Sequence, residues 1–147
     1  MKFTLSWLHE YCRCEIAPAK LEELLTNAGL KVEAMTPLDG GELQFELELT
    51  ANRPDCLGLL GVAREVALLA GAEVRLPKVE VPSEARPEAD GVRVAIEEAD
   101  LCPRYIARVL KGVRVAPSPA WLARRLESVG LRTVNNVVDV TNFVLYE

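Results

Sequence analysis

From Glu42 onward the chain alternates with period two. Leu43, Phe45, Leu47 and Leu49 fall on one side, and Glu42, Gln44, Glu46 and Glu48 on the other. This pattern specifies a strand with one buried face. Residues 30–35 alternate more weakly and read as a second strand. Asp39-Gly40-Gly41 between them reads as a turn, because glycine accepts the positive φ of a tight reversal. Helical spacing dominates on either side. Trp7, Leu8 and Tyr11 share one side of a short helix over residues 4–11. Pro18 suits a first helical position, Leu21, Leu24, Leu25 and Ala28 follow, and Gly29 stops that helix. After the break at Asn52-Arg53-Pro54-Asp55, Asp55 is expected to cap a helix running to about Ala70, with Leu59, Leu60, Val62, Ala63, Val66 and Leu69 on its apolar face and Gly71 at its end.

The second half is punctuated differently. Residues 76–90 hold Pro77, Pro82 and Pro87 among many charges, which reads as a linker. Val92, Val94 and Ile96 then alternate as a strand, and residues 104–115 are a second strand candidate with Tyr105, Ala107 and Val109 facing one way. Ser118-Pro119 is expected to start a helix bearing Trp121, Leu122, Leu126 and Val129, ending at Gly130. Residues 134–147 are ambiguous. Their valines favour a strand, whereas Val137, Thr141 and Val144 match helical spacing, with Asn135 or Asn136 as cap. The expected class is α+β: a helix, hairpin and helix unit over residues 1–75, a linker over 76–90, and a second α+β piece over 91–147.

Composition changes this picture little. Half of the 147 residues are hydrophobic and 27% charged, a globular balance. No apolar run approaches the roughly 20 residues of a membrane span. The start carries no secretory signal, so a cytoplasmic protein without membrane association is expected. Cys12, Cys14, Cys56 and Cys102 fit neither a zinc knuckle nor a disulfide framework, and Cys12-Arg13-Cys14 with His9 reads as reduced thiols rather than a metal site. Charge matters more. The net charge is −5, but residues 1–90 carry 9 basic against 16 acidic side chains, while residues 91–147 carry 8 against 6. Any contact with a polyanion should fall on the second half.

Two strings stand out as candidate chemistry. In Thr50-Ala51-Asn52-Arg53-Pro54-Asp55-Cys56-Leu57-Gly58, turn and capping roles explain most residues. They leave Arg53 for a surface contact or an internal carboxylate. In Val138-Asp139-Val140-Thr141-Asn142, a hydroxyl and an amide beside an acid could line a polar pocket or be satisfied within an element. No phosphate-binding glycine loop is present. His9, the one histidine, has no catalytic surroundings.

These strings, in order, resemble the bacterial phenylalanyl-tRNA synthetase beta chain. Met1-Lys2-Phe3 with Trp7-Leu8, Ala28-Gly29-Leu30-Lys31-Val32-Glu33, the Thr50–Gly58 string continued by Gly61-Val62-Ala63-Arg64-Glu65, Cys102-Pro103-Arg104-Tyr105 and Val137-Val138-Asp139-Val140-Thr141-Asn142 match its amino-terminal part and span most of the chain. The resemblance implies a first domain over residues 1–75 and the start of an editing domain over 91–147. It favours a helix for residues 136–147. It implies support for an alpha subunit that charges tRNA(Phe) using ATP and Mg²⁺, two cofactors that this chain is not expected to bind itself, and a share in a pocket hydrolysing tyrosine misattached to that tRNA. Thr141 matches a threonine of that pocket, and Asn142 is taken with it. Arg53, Arg104, Arg124 and Arg125 are the candidate tRNA or partner contacts. The family's inserted tRNA-binding barrel is replaced here by Asp39-Gly40-Gly41. The family's Gly-Gln-Pro-Met-His string, whose histidine is tied to editing, would lie beyond Glu147. The expected partners are the alpha subunit, the rest of the beta chain, tRNA(Phe) and a second copy of this chain. The expectation is a chain inactive alone. A free-standing tRNA-binding or trans-editing relative and a purely structural packing module are the alternatives.

Overall fold

The period-two segment forms the central strand of a three-stranded antiparallel sheet ordered β1-β3-β2, with β1 at Lys2–Thr4, β2 at Lys31–Pro37 and β3 at Leu43–Glu48. Phe3 pairs with Phe45, and their rings stack with centroids 5.2 Å apart on the buried face. The opposite face carries ion pairs from Lys2 to Glu46 and from Lys31 to Glu48. Among the described residues five α-helices accompany the sheet: α1 at Leu5–Tyr11, α2 at Pro18–Asn27, α3 at Leu59–Ala70, α4 at Ala120–Ser128 and α5 at Asn136–Tyr146. The fold is therefore α+β. This computed structural model describes residues 1–80 and 92–147. Residues 81–90 of the expected linker, and residue 91, lie outside that description.

Met1–Pro77 and Val115–Glu147 form one compact unit and Lys78–Arg114 another. The core of the first unit joins Phe3, Trp7 and Leu8 to Leu21, Leu25, Phe45, Leu59, Val62 and Val66. Thr4 caps α1 by accepting a bond from the Trp7 N–H. Gly71, at φ 63°, ends α3 in the left-handed conformation. Asp55 does not cap α3 as expected. The chain first makes a 3₁₀ turn at Pro54–Leu57, and Gly58, which has no capping side chain, precedes the helix. The Glu147 carbonyl instead accepts from the Leu60 N–H at 2.7 Å, satisfying one of the free donors at that helix start. Gly61 is required beside this turn, since a Cβ there would lie 1.7 Å from the Asp55 carbonyl oxygen.

The ambiguous carboxyl-terminal stretch is helical. Asn135 caps α5, its side-chain oxygen accepting from the Val137 and Val138 N–H groups at 3.0 Å. Tertiary packing overrides the valine preference for strand: Phe143 and Tyr146 stack on Trp7 at 5.2 and 5.7 Å. Ser118 is not the cap of α4. Pro119 holds that position, and the Ser118 hydroxyl donates to Asp139.

In the second unit, the strands expected around Val92–Ile96 and over residues 104–115 do not form among the described residues. A strand needs a neighbour for its N–H and C=O groups, and no described segment pairs with this one. Cys102 closes a turn there, its N–H donating to the Glu98 carbonyl at 2.9 Å.

Candidate functional site

The Val138–Asn142 string sits on α5, and its acid is the buried member. Asp139 is fully buried, with one carboxylate oxygen accepting from the Ser118 hydroxyl and the other from the Val134 N–H at 2.9 Å. Next to it, the Asn136 side-chain oxygen accepts from the Ala116 N–H at 3.1 Å, and the Asn136 N–H donates back to the Ala116 carbonyl at 2.9 Å. These bonds tie the segment before α4 to the start of α5. Thr141, by contrast, is exposed, and its hydroxyl donates to the Val138 carbonyl one turn earlier at 2.6 Å. Asn142 is half-buried.

The candidate arginines divide in two. Arg53 grips Asp55 through two nitrogens, at 3.0 and 2.8 Å, and reaches Glu65 at 3.0 Å. Its guanidinium holds the Asp55 carboxyl down at about 2, helped by the Cys56 thiol. Burial, and then the Asp55 carboxylate, push that thiol up to about 11. Arg125 makes a two-pronged ion pair with Glu10 and lies over the Trp7 ring, 5.1 Å from its centroid. Arg104 and Arg124 are exposed. Two of the four predicted contact residues thus make ion pairs within the chain.

The aromatic cluster was not legible in the sequence. Trp7, Phe143 and Tyr146 stack, and Trp121 meets Phe143 edge-on at 5.8 Å. The Tyr146 hydroxyl donates to the Lys2 carbonyl and accepts from the Lys2 N–H at 3.0 Å. The Tyr11 hydroxyl donates to the Glu147 carboxylate. Burial and that carboxylate raise the Tyr11 phenol to about 12. Phe143 and Tyr146, three apart on α5, were the available signal.

A cleft of about 490 Å³ opens beside this cluster, lined by Glu10, Tyr11, Arg75, Trp121, Arg125 and Glu147 among others. A second, of about 590 Å³, includes Ser6, His9 and Glu42. It is not set up as a nucleophilic relay. The Ser6 hydroxyl donates directly to Glu42, and the His9 ring faces the Cys14 sulfur at 3.9 Å instead. A third, of about 570 Å³, lies among Arg93, Val94, Ile96, Leu101, Cys102 and Tyr105. Thr141 and Asn142 line none of these three. Among the described residues, no three acidic, histidine or cysteine side chains gather as a metal cluster, and no helix is long and apolar enough to cross a membrane.

Comparison with known proteins adds what the geometry alone does not. A family model described as the B3/4 domain matches residues 101–147. The phenylalanine--tRNA ligase beta subunit of Rhodopirellula baltica is 41% identical over 147 residues, all of this chain and 21% of that protein. Two further relatives of this chain carry the same name. The subunit of Syntrophotalea carbinolica is 55% identical over 108 residues, 72% of this chain and 13% of its own length. That of Anaeromyxobacter dehalogenans is 53% identical over 110 residues, 75% of this chain and 14% of its own. The chain thus spans about a fifth or less of the beta subunits it matches. The B3/4 match crosses from Lys78–Arg114 into the helices α4 and α5.

Proposed function

We propose that the chain acts as part of a phenylalanine--tRNA ligase beta subunit in the cytoplasm. In this reading it supports ATP- and Mg²⁺-dependent charging of tRNA(Phe) by an alpha subunit. It also supplies one wall of a pocket that removes tyrosine wrongly attached to that tRNA. The observation that carries the reading is the likeness of all 147 residues to one beta subunit. Proofreading by a second site fits the chemistry, since a binding pocket alone discriminates small differences between side chains poorly.

Thr141 and Asn142 are the proposed pocket residues. Ester hydrolysis needs a held substrate and a placed water in a site closed to bulk solvent. Thr141 stands exposed on one helix face, with its hydroxyl turned to its own backbone. The chain therefore contributes a wall and is not catalytic alone. The internal ion pairs of Arg53 and Arg125 support a packing role for the residues around them over direct tRNA contact.

The test is deacylation of Tyr-tRNA(Phe) by the chain alone. The expected rate is that of buffer. Hydrolysis above it, abolished by Thr141→Trp, would overturn the reading of an incomplete pocket and favour a trans-editing relative. A filter-binding assay is the companion measurement. With a net charge of −5, tRNA binding should be weak and fall with salt.

A further inference from the structure

Cys12 closes α1 in an extended conformation, at φ −148° and ψ 104°. From there the chain alternates: Cys12 is fully buried, Arg13 exposed, and Cys14 only 8% exposed. An extended backbone that buries every second residue sets i and i+2 on one face. Both sulfurs therefore enter the same core. Two extended residues span about 6.6–7.2 Å between α-carbons, at the upper edge of the roughly 4.4–6.8 Å across which a disulfide closes. Arg13 lies in no helix or strand, so that last fraction breaks no element.

Both thiols are free, and their neighbours differ. Burial first, then the charge and hydrogen bond of the Cys14 sulfur, raise the Cys12 thiol. Cys14 has a base beside it: His9 Nε2 faces its sulfur at 3.9 Å. The His9 ring is half-buried and lines the cleft of about 590 Å³. The thiolate is the nucleophilic form of cysteine, and a neighbouring imidazole generates it. Cys56 and Cys102 bond instead to the Asp55 carboxylate and the Arg104 carbonyl.

We propose that Cys12 and Cys14 are a peroxide-sensitive thiol pair, in which Cys14 is oxidised first and Cys12 closes the disulfide. His9 Nε2 takes the Cys14 proton. The thiolate attacks one oxygen of hydrogen peroxide; an S–O bond forms and the O–O bond breaks. The departing hydroxide recovers the proton from the imidazolium and leaves as water, and Cys14 becomes a sulfenic acid. The Cys12 sulfur then attacks the Cys14 sulfur. The S–S bond forms, the S–O bond breaks, and hydroxide leaves with the Cys12 proton as a second water. Two thiols are oxidised to one disulfide and one peroxide is reduced. Burial sets the order, since a small oxidant meets Cys14, beside the cleft-lining His9, before the fully enclosed Cys12.

The test is excess hydrogen peroxide on the reduced full chain, with the half-exposed Cys102 changed to Ser to keep chains from joining. Trypsin cuts after Arg13, so Cys12 and Cys14 fall on separate peptides that stay joined only when bridged. After alkylation, mass spectrometry should find those two peptides joined and Cys56 alkylated, and dithiothreitol should part them. In Cys12→Ser, dimedone should label Cys14 as its sulfenic acid. His9→Gln should slow thiol loss by about tenfold, with an unchanged far-ultraviolet spectrum. Recovery of Cys12 and Cys14 both alkylated overturns the proposal. So does a bridge from either to Cys56, or a rate that His9→Gln leaves unchanged. The joined peptides are read from the chain with Cys12, Cys14 and His9 in place, so the central outcome does not depend on a core variant folding.

Discussion

Phe45 and Tyr105 both stand in alternating stretches, yet Phe45 is fully buried and Tyr105 is 63% exposed. The first belongs to β3, flanked by two strands and covered by α1. The second lies in residues 92–114, where no described segment pairs with the backbone. Leu101 and Leu110 are 82% and 76% exposed in the same stretch. An alternating pattern therefore specifies which side of a segment is to be covered, but not what covers it. Met1–Pro77 gains its cover locally and from α4 and α5, while residues 92–114 carry exposed apolar side chains of the same kind.

The strongest way to break this comparison is truncation on both sides of it. Trp7 is fully buried beneath Phe143, Tyr146 and Arg125. Trp7→Ala removes a large ring from a packed site and should cost about 3–5 kcal/mol in urea unfolding. Tyr105→Ala leaves a water-facing position and should stay within about 0.5 kcal/mol. Comparable losses would mean that residues 92–114 carry a core after all. Hydrogen exchange should agree, with amides of β3 and α3 protected up to global unfolding and those of residues 92–114 exchanging far sooner.

A smaller effect sharpens where the carboxyl-terminal helices hold on. Asp139→Ala leaves the part-buried Val134 N–H and Ser118 hydroxyl without their partner and empties a buried position. The expected loss is about 1–3 kcal/mol. Ser118→Ala removes one bond and leaves a carboxylate still bonded to Val134, so it should cost less. Equal effects from the two would show that the hydroxyl, not the backbone bond, anchors α5.

What the sequence revealed follows the same division. The hairpin, α2 and α3 were legible because their periodicity is local and their stops are glycines in the positive-φ conformation, as at Gly71. The cap expected of Asp55 failed because Arg53, two residues away, takes its carboxylate within the same turn. Helix α5 was ambiguous because its valines favour strand. The contacts that decide it, Phe143 and Tyr146 on Trp7, join residues more than 130 positions apart. The candidate site was legible as a string but not as a geometry. Which of Asp139 and Thr141 is buried depends on Ser118, 21 residues away.

The smallest expected effect concerns acid. Arg53 holds the Asp55 carboxyl at about 2, below its ordinary 3.8. A carboxyl depressed in the folded state binds its proton more readily once unfolded, so acid favours unfolding. The contribution of this pair is full above about pH 4 and is lost as pH falls through about 2. Asp55 is exposed and Arg53 half-buried, and water reaching the carboxylate screens the pair and makes it weak. The measurement is therefore a difference: urea midpoints of the native chain and of Asp55→Asn, compared at pH 5 and pH 2. The native chain should lead at pH 5, and the gap should narrow at pH 2 and in high salt. A gap constant with pH would assign the role of Asp55 to the shape of the Pro54–Leu57 turn, and would place Arg53 with Arg104 and Arg124 as a side chain open to an outside partner.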